Sequence, residues 1–189
     1  MKVLYPALCA VILLGGCVTR QPDHFYVLEA QPAGAREASS QFSRQITLRV
    51  TVPSLVDRNE MIVTTMSGVA VMDHERWAAP LADLVTTTLS QDIERRRSDV
   101  IVLPKSADHA GLPLIRITVE IDQLNARLGQ PLSIETHWRV TDGGSGRETL
   151  GRDTFVSPQP PQNYAEVAGA LSAVVALLAD RLTREIPAA

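Results

Sequence analysis

Few residues of this 189-residue chain are of a type and in a place to do chemistry, and the foremost is Cys17. It closes the run Leu14-Gly15-Gly16-Cys17, after a basic Lys2 and an almost wholly apolar stretch from Val3 to Leu14. A basic end, an apolar core and small residues at its close form the three-part layout of a secretory signal. The core is too short to span a bilayer, which takes about 20 apolar residues. A thiol directly after two glycines is a nucleophile offered at a processing site. Cys9 lies inside the apolar core and would leave with it, so Cys17 becomes the single cysteine of the mature chain. An internal disulfide is then impossible, although an exported chain could use one.

The pattern Leu-Gly-Gly-Cys resembles a bacterial lipobox. In that class the thiol receives a diacylglyceryl group, the chain is cut before the cysteine, and the new amine is acylated. The expectation is a signal peptide over residues 1–16, a lipidated tether over 17–24 and one domain over 25–189, with palmitate-like acyl chains on Cys17. The plainer alternative is an ordinary cleaved signal followed by a chance cysteine. That alternative leaves an unpaired thiol at an exported N-terminus, whereas lipidation consumes it.

The other candidates for chemistry fail on spacing. His74-Glu75 opens like a zinc-protease helix motif, but Ala78 occupies the place of the second histidine. His24, His109 and His137 have no ligand-like spacing. Gly143-Gly144-Ser145-Gly146 lacks the lysine of a phosphate loop and the final glycine of a nucleophile elbow, and reads as a hairpin connection. No catalytic residue, metal site or cofactor is expected beyond the covalent lipid. Asp57-Arg58 reads as a local ion pair in a polar turn.

Removing the first 16 residues leaves 173, enough for one domain with a real core. The mature balance is 17 basic against 21 acidic residues, a mild acidic excess that argues against nucleic acid. Arg95-Arg96-Arg97 is the only basic run and falls at an expected helix end, where cations suit the helix dipole.

The elements follow from periodicity. Phe25 to Leu28 is aromatic and β-branched and predicts a first strand. Gln31 to Gln45 lacks a hydrophobic period and predicts a mobile loop. Ile46, Leu48, Val50 and Val52 alternate up to Pro53; Met61 to Thr65 and Val69 to Met72 follow around Ser67-Gly68, and the three together predict a meander. Pro80 opens a helix with the stripe Leu81, Leu84, Val85, Thr88, Leu89 and Ile93, with Asp83, Gln91 and Glu94 off it. Val100 to Leu103 is a short strand. Three alternating runs, Ile115–Ile121, Leu132–Val140 and Glu148–Val156, predict an antiparallel meander. Asn163 and Glu166 form a capping-box variant before a long helix whose apolar face runs from Tyr164 to Ile186. The fold expected is α/β (α+β): a mixed or largely antiparallel sheet with two main helices packed on it.

Several short motifs then fall in an order that resembles the PqiC-like, ABC-type transport auxiliary lipoproteins. They are Phe25-Tyr26-Val27-Leu28 soon after the cysteine, and Val52-Pro53-Ser54-Leu55-Val56-Asp57-Arg58 before Ile62-Val63. Arg76-Trp77 follows, with Pro80-Leu81 at a helix head, then Ile117–Leu124, His137-Trp138-Arg139-Val140, and Tyr164 with its Ala/Leu/Val helix. Leu124 stands where an aromatic is expected, and Asn59-Glu60 replaces a proline-containing turn. The resemblance implies a non-enzymatic outer-membrane lipoprotein at the periplasmic face. Its implied partners are a periplasm-spanning protein with mammalian-cell-entry (MCE) domains and an inner-membrane permease, in a system moving lipids or other hydrophobic compounds. Val18, not aspartate, follows the cysteine, which agrees with that address. Asp57, Arg58 and Trp77 are the expected contacts with the partner or with another copy in a homo-oligomer. A structural envelope lipoprotein serving a different assembly, and an enzyme with an unrecognised site, remain the alternatives.

Overall fold

The computed structural model describes residues 21–34, 41–103 and 113–187. Eight strands and two helices follow in the order β1 (His24–Tyr26), β2 (Arg44–Thr51), β3 (Glu60–Thr64), β4 (Val69–Trp77), α1 (Leu81–Arg96), β5 (Val100–Leu103), β6 (Leu114–Asn125), β7 (Ser133–Asp142), β8 (Glu148–Val156) and α2 (Tyr164–Glu185). The α+β class with two helices is as expected, but the strands divide between two sheets. A five-stranded sheet has the order β5-β2-β6-β7-β8 and a three-stranded sheet the order β1-β4-β3.

Alternation builds the larger sheet. In β6, Ile115, Ile117, Val119 and Ile121 are buried while Arg116, Thr118 and Glu120 face out. The same period in β7 buries Ile134, Thr136, Trp138 and Val140. β6, β7 and β8 pair antiparallel in series, the meander their spacing predicts. β2 pairs parallel with both β5 and β6.

The expected meander of the second, third and fourth strands is not what forms. Only β3 and β4 pair antiparallel. Pro53 cannot donate to a ladder, and the chain turns over Pro53–Arg58 with Val56 and Asp57 amides bonded to the Pro53 carbonyl. β3 therefore starts a new sheet instead of returning along β2. β4 also runs on to Trp77, five residues past the expected end, because the polar His74, Glu75 and Arg76 find partners in Asp23, His24 and Glu60 beside them. The first strand is shorter than expected. Val27 and Leu28 leave it, and Leu28 turns into the core.

The helices lie side by side on the larger sheet. α1 buries Leu81, Val85, Thr88, Leu89 and Ile93, and α2 buries Val167, Leu171, Val174, Val175, Leu178 and Leu182. Asn163 caps α2: its side chain accepts from the Glu166 amide at 2.9 Å, and Glu166 Oε2 accepts from Gln162 N at 2.7 Å. The residues just before the expected mobile loop, with its first residue Gln31, are a strap tied across both helices; residues 35–40 of that loop lie outside the described residues. Glu29 N donates to Ser172 Oγ, Gln31 N donates to Asp92 Oδ1, and Arg95 donates to the Ala30 carbonyl.

The arginine run has specific partners as well as a favourable place on the dipole. Arg96 joins buried Asp92, one turn earlier, to Asp180 of α2. Arg97 chelates Asp99 and donates to the Ile186 and Pro187 carbonyls. Trp138 lies so close over Gly151 that a Cβ there would stand 2.0 Å from its ring. Arg181 covers the Trp138 ring at 4.6 Å, and Asp153 accepts the indole N–H at 2.7 Å.

Candidate functional site: the charged root of the tether

The chain enters the fold at Asp23 and His24, and both are fixed at once to β4. Parallel pairing sets His24 beside Glu75 and Tyr26 beside Trp77. Because side chains alternate across a strand, β4 sends His74 and Arg76 to one face and Glu75 to the other. Asp23 reaches the first pair: Oδ1 lies 2.9 Å from His74 Nδ1 and Oδ2 lies 3.3 Å from Arg76 Nε. Glu75 takes the second set, His24 Nδ1 at 3.2 Å and the Tyr26 hydroxyl at 2.6 Å.

The chain of charges continues away from the tether. Arg76 Nη1 lies 3.3 Å from Glu60 Oε1, and Arg58 Nε donates to Glu60 Oε2 at 2.8 Å. Asp23, Arg76, Glu60 and Arg58 thus form one alternating line across the small sheet, from the tether to the Pro53–Glu60 turn. Exposed pairs of this kind contribute only about 0–1 kcal/mol each, so their worth lies in orientation. The Arg58 hydrogen bond is the main reason the Glu60 carboxyl sits below the usual range. Burial pushes Glu75 up, but the Tyr26 and His24 hydrogen bonds and the charges of His24 and His74 outweigh it and leave the carboxyl low. Burial first, then the same Glu75 contact, pushes the Tyr26 hydroxyl up to about 12.

The structure treats the three expected contact residues differently. Asp57 and Arg58 do not pair with each other, contrary to the reading of the turn. Asp57 Oδ1 accepts from Ala82 N at 3.0 Å, while Arg58 turns to Glu60. Pro80, the N-cap of α1, has no side-chain acceptor, so the neighbouring turn supplies one. Trp77 is 3% exposed and lies in the core, its amide bonded to the Asn59 carbonyl at 2.6 Å. Asp57 and Arg58 are both exposed, and Arg58 presents 42% of its side chain to solvent. Asp23, His24, Glu60, Glu75 and Arg76 completed the group without being foreseen. The clue was density: Asp73–Arg76 and Asp23–His24 hold six charged or imidazole residues that two short strands could bring together.

The segment His74-Glu75 is strand, not helix, so its likeness to a zinc-protease motif ends there. Among the described residues, no group of three or more His, Cys, Asp or Glu could hold a metal ion. None of their helices is long and apolar enough to cross a membrane. Cys17, the signal segment and His109 lie outside the described residues.

This arrangement defines a class: a two-sheet, two-helix α+β domain with a charged cluster where the described chain enters it. The chain belongs to the family of ABC-type transport auxiliary lipoprotein components, whose model matches residues 26–183. Among solved structures, the crystal structure of an uncharacterized protein aligns with a TM-score of 0.64 at 16% identity, covering 88% of this chain and 100% of that one. Protein XCC0632 from Xanthomonas campestris, of the family DUF330, aligns with a TM-score of 0.61 at 15% identity, covering 85% and 91%. At these identities the likeness is one of fold. The comparison with curated proteins returned no match.

Proposed function

We propose that this chain is a non-enzymatic lipoprotein, anchored through Cys17 to the periplasmic face of the outer membrane, that serves an MCE/ABC-type system moving lipids or other hydrophobic compounds. The observation that carries this reading is the family match over nearly the whole folded domain. The Leu-Gly-Gly-Cys pattern supports the anchor, and Val18 supports the outer-membrane address.

The root geometry gives the anchor a mechanical use. Six steps separate Cys17 from Asp23, a reach of at most about 21 Å. The body is thereby held close to its membrane, and the charged line from Asp23 to Arg58 fixes which way the first described residues leave it. A partner crossing the periplasm then meets this surface at high effective concentration, in the millimolar range when tether and span match. Arg58 and the turn around it are the part of that surface assigned to contact.

The test is affinity capture of the full-length protein from detergent-solubilised envelopes. Recovery of a membrane protein with MCE domains, together with a permease, is the expected result. Reproducible capture of a different envelope assembly, with no MCE protein, would overturn the transport role in favour of a structural one.

A further inference from the structure

The β3–β4 hairpin ends in a turn whose chemistry does not suit water. Thr65 N donates to the Gly68 carbonyl at 2.8 Å, leaving Met66 and Ser67 at the tip. Gly68 has φ +146°, a backbone that L side chains rarely adopt. Such tips favour Asn, Asp and Gly. Here the tip holds Met66, 88% exposed, and the strand beyond it turns Val69 and Val71 outward, 50% and 43% exposed. Leu128 is also exposed, two residues from Ala126, whose carbonyl accepts the Thr64 amide at 2.7 Å. The apolar side chains Met66, Val69 and Leu128 thus gather at one end of the molecule.

The described end of the tether lies toward the same end: β1 runs parallel to β4, and Asp23, just before β1, touches His74. From Glu75 back to Val69 is six strand steps, about 20 Å. From His24 back to Cys17 is seven steps, at most about 25 Å. A fully extended tether is therefore long enough to bring the lipid-bearing residue to the hairpin tip.

We infer that the Met66–Val71 hairpin tip is a second membrane contact, its apolar side chains entering the headgroup–acyl boundary of the bilayer that holds the Cys17 lipid. The inference rests on the anchor reading. A single polypeptide tether leaves a body free to swivel; a second contact removes that freedom and fixes which face looks into the periplasm. Binding at the boundary region scales with the apolar area buried there, and the tip offers Met66, Val69 and Val71 for it. The β7–β8 turn supplies an internal reference. Gly143 N bonds to Leu114 O at the start of β6, whereas Ala126 follows its end, so the two turns are separated by the length of β6, about 36 Å.

The test uses the full-length protein carrying Met66→Trp, produced with its own signal and reconstituted into phosphatidylethanolamine–phosphatidylglycerol vesicles containing brominated phosphatidylcholine. Trp77 and Trp138 are 3% and 2% exposed, so the unsubstituted protein gives the background emission. Arg147→Trp places the probe in the β7–β8 turn. Val69→Trp replaces Met66→Trp if the latter does not fold. The expected result is at least a two-fold bromine-dependent loss of the added emission for the hairpin probe and none for the Arg147 probe. The intact mass of the same sample reads the anchor. Lipidated protein whose hairpin probe is quenched no more than the Arg147 probe overturns the second contact and leaves the anchor standing. A blue-shifted but unquenched hairpin probe means that protein, not lipid, covers the tip, and also overturns it. An unmodified Cys17 removes the anchor and this inference with it.

Discussion

Asp57 caps a helix that begins 24 residues after it: its Oδ1 accepts the Ala82 amide at 3.0 Å, where the helix's own N-cap is Pro80 and has no acceptor to offer. The loop that carries Arg58 is therefore tied to the first turn of α1. Loss of a capping oxygen costs about 1 kcal/mol. Asp57→Ala should lower stability by that amount in chemical denaturation, and Asp57→Asn should retain most of it. Equal stability of Asp57→Ala and the parent protein would show that the contact is incidental.

The buried charge of Asp92 makes a larger prediction. Its side chain is fully buried, burial pushes its carboxyl up, and Arg96 Nη1 at 2.9 Å is its cationic partner. Removing one partner of a buried pair costs about 3–5 kcal/mol, because the other is left uncompensated. Arg96→Ala should fall in that range. Arg96→Ala combined with Asp92→Leu should recover a large part of the loss, and a double variant no more stable than the single one would refute the explanation.

Gly151 is required by its neighbour across the sheet. A methyl group there would stand 2.0 Å from Cζ2 of Trp138, a ring held by the core, Asp153 and Arg181. Overpacking of this sort costs about 1–3 kcal/mol. Gly151→Ala should lower the melting temperature and alter the near-ultraviolet circular dichroism of Trp138. An unchanged spectrum would mean that the strands separate without disturbing the ring.

Acid should loosen the root of the tether. Glu75 has its folded pKa below the ordinary 4.5. Its pairing therefore contributes stability above 4.5, and that contribution is lost as pH falls through the lower, folded value. Glu75→Gln should flatten the fall in stability below pH 4.5. The Tyr26 hydroxyl, raised from 10.0 to about 12, acts in the opposite window: its contribution is complete below 10 and lost as pH rises toward 12. A pH profile of Glu75→Gln that overlays that of the parent in acid would contradict this assignment.

Much of the fold was legible because burial leaves a period. The alternation of Ile115–Ile121 and of Ile134–Val140, and the stripe from Val167 to Leu182, have one buried face each, and those elements form as read. The Asn163–Glu166 cap was legible because its chemistry is local. The division into two sheets was not, since strand partners are set by contacts between residues distant in the chain. Nothing in Ile46–Val52 tells that its neighbours are β5 and β6 instead of β3. The root of the tether was hidden for the same reason. Asp23 and Arg76 stand 53 positions apart, and a run of four charged or imidazole residues looks like a solvated face until β1 is laid beside it. The polar turn at Asp57–Glu60 was legible, but its partners were not: the structure replaces the expected Asp57–Arg58 pair with two outward ties.

The central claim is that function depends on a lipid anchor outside a fold that does not need it, and Cys17→Ser tests it most directly. The variant, exported with an ordinary cleavable signal at native expression in a strain lacking the parent gene, should be folded by circular dichroism and soluble in the periplasm. The strain should remain as sensitive to membrane-perturbing agents as one with no copy at all. Full restoration of tolerance at native protein levels would contradict the account.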